Sequence, residues 1–180
     1  VEKALNRAER AAKGGDKDAV ARKPVLAKLQ AALSDGKAGR SVSQEKALDH
    51  VFGYAVGFDM TRRDRQRESG KNGLPWEIGK SFDASAPCGN LRTVAEVGHL
   101  QSGRIAVSVN GQSKQDSVIE KMIWNVPEIV SKLSHAYDLA EGDLIYTGTP
   151  AGVAPVFPGD VLRGTVQGLS DLEITIGARS

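Results

Sequence analysis

The first forty residues carry apolar side chains at helical spacing, in two stripes separated by Gly14-Gly15. The stripes consist of Ala4, Leu5, Ala8, Ala11 and Ala12, then of Val20, Val25, Leu26, Leu29 and Leu33. Asp16 and Asp18 can cap the second helix, which ends near Gly36. Residues 1–40 therefore predict an antiparallel helical hairpin, and the narrow, alanine-rich stripes favour a coiled-coil contact.

A different pattern begins after Arg40. The polar run Ser43-Gln44-Glu45-Lys46 predicts a capped start for a short helix over residues 43–51. In residues 52–59 large apolar side chains alternate with small ones and with Asp59, which predicts a strand. The large side chains of this strand belong in the core, and the small ones leave room in front of Asp59.

The remainder of the chain is rich in strand signals. Residues 104–109 lead through Asn110-Gly111 into a polar strand, which predicts a β-hairpin. An amphipathic helix begins near Asn125-Val126-Pro127, with Trp124 and Tyr137 at the ends of its apolar stripe. The further predicted strands are residues 143–147, 160–167 and 172–176. Taken together, residues 43–180 predict an α+β domain, mostly β, distinct from the hairpin of residues 1–40.

The distribution of charge also separates residues 1–40 from the rest of the chain. The net charge is +2, but residues 1–40 contain ten Lys or Arg and five acids, a balance of +5, and the other 140 residues carry −3. A basic hairpin allows two interpretations. It is either a solvated helix surface or a module that binds RNA or a ribosome.

Cysteine content and hydropathy limit the cellular context. Cys88 is the single cysteine, so no internal disulfide is possible, which suits a reducing compartment. No apolar run reaches the length of about 20 residues that spans a bilayer, and no basic-then-apolar leader opens the sequence. We therefore expect a cytoplasmic protein without a membrane segment.

Candidate chemistry starts at Asp59. If the chain turns helical after the strand, Asp59, Arg63 and Gln66 project from one helical face. A carboxylate at a strand end is a suitable ligand for Mg²⁺, and the guanidinium and amide can bind an oxyanion. The alternative is an aspartate that caps a helix, followed by solvated charges.

Two further segments add groups that can bind anions. Lys80 follows a glycine in an apolar segment and can stabilise an oxyanion, with Asp83 as a potential partner, or it is an ordinary solvated lysine. Residues 148–152 can present backbone N–H groups and the Thr149 hydroxyl to an anion, or they form only a tight turn. The histidines lack metal-ligand spacing, so structural roles are favoured for His50, His99 and His135.

Six ordered motifs resemble one known family. They are GYAVGFDMTRRDRQ, GKSFDASAP, VNGQSKQ, MIWNVPEIVSKLS, GDLIYTGTPAGV and PGD. Through them residues 43–180 resemble the fumarylacetoacetate hydrolase family, in particular the fumarylpyruvate or maleylpyruvate hydrolases of the gentisate branch of aromatic compound catabolism. The resemblance implies a β-roll fold, a homodimer, a divalent cation (Mg²⁺, or Mn²⁺ or Ca²⁺) and hydrolysis of a C–C bond in a diketo acid such as fumarylpyruvate.

The same resemblance implies roles for individual residues. Asp59 would be a metal ligand, Arg63, Gln66 and Lys80 would surround the reacting oxygens of the substrate as catalytic and substrate-binding groups, and Thr149 would contact the substrate. The sequence departs from the family where many members have threonine after GKSFD, since Ala84 stands there.

A larger departure lies upstream. Family members carry a Glu-x-Glu pair that supplies two metal ligands, and many carry a His/Glu pair that activates water, but residues 1–42 contain neither. Since affinity for the cation follows the number of charged ligands, we expect weak metal binding and little hydrolysis by this chain. Residues 1–40 instead resemble the helical hairpin of an Obg-related, ribosome-associated nucleotide hydrolase, which implies a chimeric chain with a truncated hydrolase domain.

Overall fold

The computed structural model describes residues 39–178 of the 180-residue chain. They fall into two compact units, one formed by residues 39–52 and 124–145 and the other by residues 53–123 and 146–178. Residues 1–38 of the predicted hairpin lie outside the described residues. The hairpin and its boundary with the domain beginning at residue 43 therefore stay predictions.

The described elements are a mixture of short helices and antiparallel strands. The strands are β1 (Gly53–Tyr54), β2 (Arg92–Thr93), β3 (Arg104–Val109), β4 (Gln112–Val118), β5 (Val161–Val166) and β6 (Leu172–Thr175). The α-helices are α1 (Arg63–Lys71), α2 (Glu77–Lys80), α3 (Val94–Val97) and α4 (Val126–Ala136), and 3₁₀ helices span Gln44–His50 and Ile119–Lys121. This content confirms an α+β fold with antiparallel sheets.

The smaller unit is organised around α4. Asn125 accepts a hydrogen bond from the Glu128 backbone N–H at 2.9 Å, and the Glu128 carboxylate accepts one from the Asn125 N–H at 2.7 Å. This reciprocal capping box starts the helix where the sequence predicts it. The helix packs Val130 against Val42 and Ala47, which form the core of the unit.

Removing the N-cap side chain of α4 should lower the stability of the protein. We expect Asn125→Ala to lower the free energy of unfolding by about 1 kcal/mol, because the Glu128 N–H loses its acceptor. Urea denaturation followed by circular dichroism measures the change. Asn125→Asp keeps an acceptor oxygen at the same place and should stay close to wild type. Equal losses in the two variants would contradict the capping role.

The larger unit contains two antiparallel sheets. One pairs β1 with β2, and the other has the strand order β4-β3-β5-β6. Asn110 and Gly111 connect β3 to β4 with φ angles of 50° and 77°, as a two-residue turn with two positive φ values requires. The core of this unit consists of Phe58, Val109 and Leu162. The predicted hairpin and the strands near residues 160–167 and 172–176 are thus confirmed.

Several predicted elements differ in the structure. Residues 143–147 form no strand, because no described segment pairs with them, and they lead into an irregular loop. The predicted helix at residues 43–51 is a 3₁₀ helix, and its Ser43 side chain makes no cap hydrogen bond. Trp124 and Tyr137, expected at the ends of the apolar stripe of α4, are 53% and 67% exposed. Among the described residues, no helix has the length and hydrophobicity needed to cross a membrane.

Candidate active site

The segment around Asp59 runs antiparallel to residues 85–89. The Phe58 N–H donates to the Pro87 carbonyl at 2.9 Å, and the Met60 N–H donates to the Ser85 carbonyl at 2.8 Å. Phe58 is buried while Asp59 is exposed, so alternate residues face opposite sides. The predicted alternation is confirmed here, although the regular strand β1 covers only two residues. The backbone pairing fixes Asp59 with its carboxylate outside the core.

Lys80 is the direct partner of Asp59. Its Nζ lies 2.6 Å from Asp59 Oδ1 and donates a hydrogen bond to Thr61 Oγ1 at 3.0 Å. The side chains are 32% exposed for Lys80 and 47% for Asp59, so solvent reaches the pair and its contribution to stability is modest. Asp59 and Thr61 therefore fix the position of the Lys80 ammonium group at the end of α2. Lys80 pairs with Asp59 and not with Asp83.

Arg63 and Gln66 lie on α1, next to this pair. The helix begins at Arg63 with Arg62 at its N-cap, so Asp59 neither shares a helical face with them nor caps the helix. Both interpretations of Asp59 from its spacing are wrong, because the chain stays extended through Met60 while its backbone is paired with Ser85. The Arg63 guanidinium donates to Gln66 Oε1, which holds the two side chains together.

Glycine at position 79 sets the distance between α1 and α2. A Cβ atom there would lie 3.0 Å from the Gln66 backbone nitrogen and 3.2 Å from the Arg62 carbonyl oxygen. The Arg62 N–H also donates to the Gly79 carbonyl at 2.9 Å. Close backbone contact therefore places Lys80, at the end of α2, beside the first turn of α1.

Thr149 is held by a different strand. Gln115 of β4 donates through Nε2 to Thr149 Oγ1 at 2.8 Å and to the Pro150 carbonyl at 2.6 Å. Within residues 39–178, no hydrogen bond or ion pair joins Thr149 to the other four predicted site residues. The structure thus brings Asp59 and Lys80 into contact and packs the helix of Arg63 and Gln66 beside them, while Thr149 belongs to a separate group.

Tyr146 connects the segment of Thr149 to the strand of Asp59. A Cβ atom at Gly57 would lie 2.7 Å from Tyr146 Cε1, so the ring covers this glycine. The phenol donates to the Ala86 carbonyl at 2.9 Å. Burial, and then charge on Cys88 and Asp59 when these groups are ionised, raise the pKa of Tyr146, so its phenol remains a donor.

Tyr146 and Gln115 were not among the site residues predicted from the sequence. For Tyr146 a signal existed, because the small residues that alternate with the core side chains of residues 52–58 leave space for a large neighbour. For Gln115 there was none, since a polar residue in an exposed strand is common. His99 bonds to the Tyr54 hydroxyl at 3.0 Å and His135 to the Ser131 carbonyl at 2.7 Å, which agrees with structural roles.

A divalent cation does not find a complete ligand set in this part of the chain. Among residues 39–178, no group of three or more His, Cys, Asp or Glu side chains lies close enough to hold a metal ion. Asp59 offers one carboxylate, and that carboxylate already pairs with Lys80. The described residues therefore supply one predicted metal ligand and a set of hydrogen-bond donors, which suits an oxygen-rich anion.

One known protein family matches most of the chain. The family model "Fumarylacetoacetate (FAA) hydrolase C-terminal" matches residues 26–177. Fumarylpyruvate hydrolase from Ralstonia sp is 44% identical over 149 residues, which cover 83% of this chain and 77% of that protein. The mitochondrial oxaloacetate tautomerase of Homo sapiens is 37% identical over 148 residues, covering 82% of this chain and 67% of that protein.

A solved relative gives the structural comparison. Fumarylpyruvate hydrolase from Pseudomonas aeruginosa, in complex with Mn²⁺ and pyruvate, superposes with a TM-score of 0.78 at 46% identity. The match covers 80% of this chain and 62% of that chain, so our chain spans less than two thirds of that structure.

These matches bear on the first forty residues as well. The family match starts at residue 26, inside the segment predicted as a hairpin. The relatives named above give no support to an Obg-related origin for residues 1–40 or to an RNA-binding module. Because the family model covers residues 26–177 and close relatives align over most of the chain, the protein belongs to the fumarylacetoacetate hydrolase family.

Proposed function

We propose that the chain is a hydrolase of the fumarylacetoacetate hydrolase type that cleaves a C–C bond in an acylpyruvate such as fumarylpyruvate. The observation that carries the proposal is the Asp59–Lys80 pair, exposed outside the core, with the donors of α1 beside it. The Ralstonia relative is named for this substrate, and the Pseudomonas structure holds pyruvate, the product that such a cleavage releases.

The donors suit the oxygens of a 2,4-dioxo acid. Lys80 has three N–H donors, and Asp59 and Thr61 use two of them, so one remains for a ligand oxygen. Arg63 adds a guanidinium fork, which binds a carboxylate through two parallel hydrogen bonds. These cations would bind the carboxylate end and stabilise negative charge that develops on a carbonyl oxygen during cleavage.

Gln66 and Thr149 would add neutral donors to the same substrate. Gln66 lies partly buried on α1 with its oxygen turned to Arg63, which leaves its NH₂ group for an acceptor. The Thr149 hydroxyl would bind from the loop that follows Tyr146. In this arrangement the four donors hold the substrate by its oxygens and leave the C–C bond accessible.

A divalent cation completes the proposal. The Pseudomonas relative contains Mn²⁺, and for this chain we propose Mg²⁺ or Mn²⁺ with Asp59 as a ligand. When bound, such a cation acts as a Lewis acid toward carbonyl oxygens. The described residues do not form the full ligand set. We therefore assign them substrate binding and charge stabilisation, and we expect the low rate that the absent Glu-x-Glu pair predicts.

Pyruvate release tests the function. Purified protein is incubated with fumarylpyruvate, and pyruvate is followed through lactate dehydrogenase and NADH. We expect slow release that depends on Mg²⁺ or Mn²⁺, stops with EDTA and falls to the uncatalysed rate in Asp59→Asn. Asp64→Asn, at an exposed position of α1, removes the same charge nearby and should keep the wild-type rate. Release that survives Asp59→Asn would contradict the assignment of Asp59.

The remaining features rest on the resemblance of the motifs. We propose a small diketo acid as the partner molecule, a homodimer as the assembly and the gentisate branch of aromatic compound catabolism as the setting. Sedimentation of the purified chain tests the dimer. A turnover comparison of fumarylpyruvate with maleylpyruvate tests the isomer.

A further inference from the structure

The Gln115 side chain has a defined orientation. Its amide group faces the Pro150 carbonyl oxygen at 2.6 Å, and a carbonyl oxygen only accepts hydrogen bonds. The NH₂ end of the amide must therefore lie on that side, which fixes the choice between its nitrogen and its oxygen. The second N–H of the same group points to Thr149 Oγ1 at 2.8 Å.

This orientation determines what the Thr149 hydroxyl can do. A hydroxyl has one proton to donate and two lone pairs that accept, and here the Gln115 N–H takes one of the lone pairs. Within residues 39–178, no acceptor takes the Thr149 proton. Among the described residues the Thr149 proton is thus available, and an acceptor oxygen of a ligand can take it.

Tertiary contacts fix the loop that carries Thr149 at both of its ends, at Tyr146 and at Gly152. On the N-terminal side of the loop, the Tyr146 hydroxyl donates a hydrogen bond to the Ala86 carbonyl. On the C-terminal side, Gly152 adopts a φ of 102° and lies against the Lys114 carbonyl, where a side chain has no room. Since Gln115 follows Lys114 on β4, one strand edge holds both the backbone of this loop and the hydroxyl of Thr149.

We propose that Gln115 is a positioning residue that holds the Thr149 hydroxyl in place, with its proton available for a hydrogen bond to an acceptor oxygen of the bound oxo acid. This inference rests on the proposed function and extends it to the polarity of one contact. An oxo acid offers carboxylate and carbonyl oxygens, which only accept.

Gln115→Glu reverses the polarity with almost no change of shape. The introduced carboxylate accepts the Thr149 proton and faces the Pro150 carbonyl without a donor. Because one hydrogen bond to a charged ligand is lost, we expect the Kd for pyruvate to rise about tenfold. Gln112→Glu places the same charge on the same strand, away from the loop, and should leave the Kd unchanged.

A double-mutant cycle separates positioning from general damage. Pyruvate is titrated against wild type, Gln115→Glu, Thr149→Val and the double variant by ligand-observed NMR. We expect each single variant to raise the Kd about tenfold and the double variant to match Thr149→Val, because Gln115 acts through that hydroxyl. Thr149→Ser keeps the hydroxyl and should retain wild-type affinity.

A second readout needs no ligand. In ¹⁵N-labelled protein both Nε2 protons of Gln115 should exchange slowly with water. Thr149→Val should shift one of them and leave the proton that faces Pro150. Fast exchange of both protons would overturn the inference, and so would wild-type pyruvate affinity in Gln115→Glu; either result leaves the proposed function intact. If the wild-type chain binds no pyruvate, the proposed function fails and the inferred contact fails with it.

Discussion

Replacing Phe58 by alanine should lower the free energy of unfolding of the larger unit by about 3–5 kcal/mol. Phe58 is 7% exposed and packs in the core with Val109 and Leu162. Its ring lies against Gly164, where a Cβ atom would be 2.9 Å from Phe58 Cζ, so residue 164 offers no side chain to fill the cavity. Removing the ring thus loses both buried apolar area and packing contacts.

Urea denaturation measures this loss, and the chain offers a matched control. Phe157 belongs to the same unit and is 63% exposed, so Phe157→Ala should change stability by less than about 1 kcal/mol. Phe58→Ala should also weaken pyruvate binding, because residue 58 fixes the backbone of Asp59. Similar losses of stability in the two variants would contradict the position of Phe58 in the core.

Replacing Lys80 by methionine should raise the Kd for pyruvate by about 10- to 100-fold. Methionine keeps an unbranched apolar stem but removes the cation that lies 2.6 Å from Asp59. The ligand then loses a charged donor and meets the unpaired Asp59 carboxylate, which repels an anion. Both effects act in the same direction, so we expect a larger change than for any neutral donor of the site.

Titration of pyruvate by NMR at low ionic strength measures the effect. Lys71→Met removes the same charge from the exposed end of α1 and should change the Kd only slightly. The wild-type affinity should fall as salt is added, and this dependence should be weaker in Lys80→Met. Equal affinities of wild type and Lys80→Met would remove Lys80 from the binding site.

Local patterns predicted the parts of this fold that depend on near neighbours. Alternation placed Phe58 inside and Asp59 outside, because successive side chains of an extended chain face opposite sides. Asn110-Gly111 predicted its hairpin because few residues adopt two positive φ angles. The same locality explains the start of α4 at Asn125, since a capping box joins residues three apart.

Local patterns misplaced the elements whose conformation depends on distant partners. Residues 143–147 are apolar enough for a strand, but a strand needs a neighbour to take its backbone hydrogen bonds, and no described segment provides one. Helical spacing suggested that Asp59 shares a face with Arg63. Pairing with residues 85–89 keeps Asp59 extended instead, and a segment some thirty residues away imposes that pairing.

The sequence by itself determined the family and the α+β character and named five candidate site residues, because motifs and short periods lie in consecutive residues. Only the tertiary structure decided which of these groups touch. The contact of Lys80 with Asp59 spans 21 positions, and that of Gln115 with Thr149 spans 34. Such contacts follow from how strands and helices pack, and no local pattern of side chains encodes that packing.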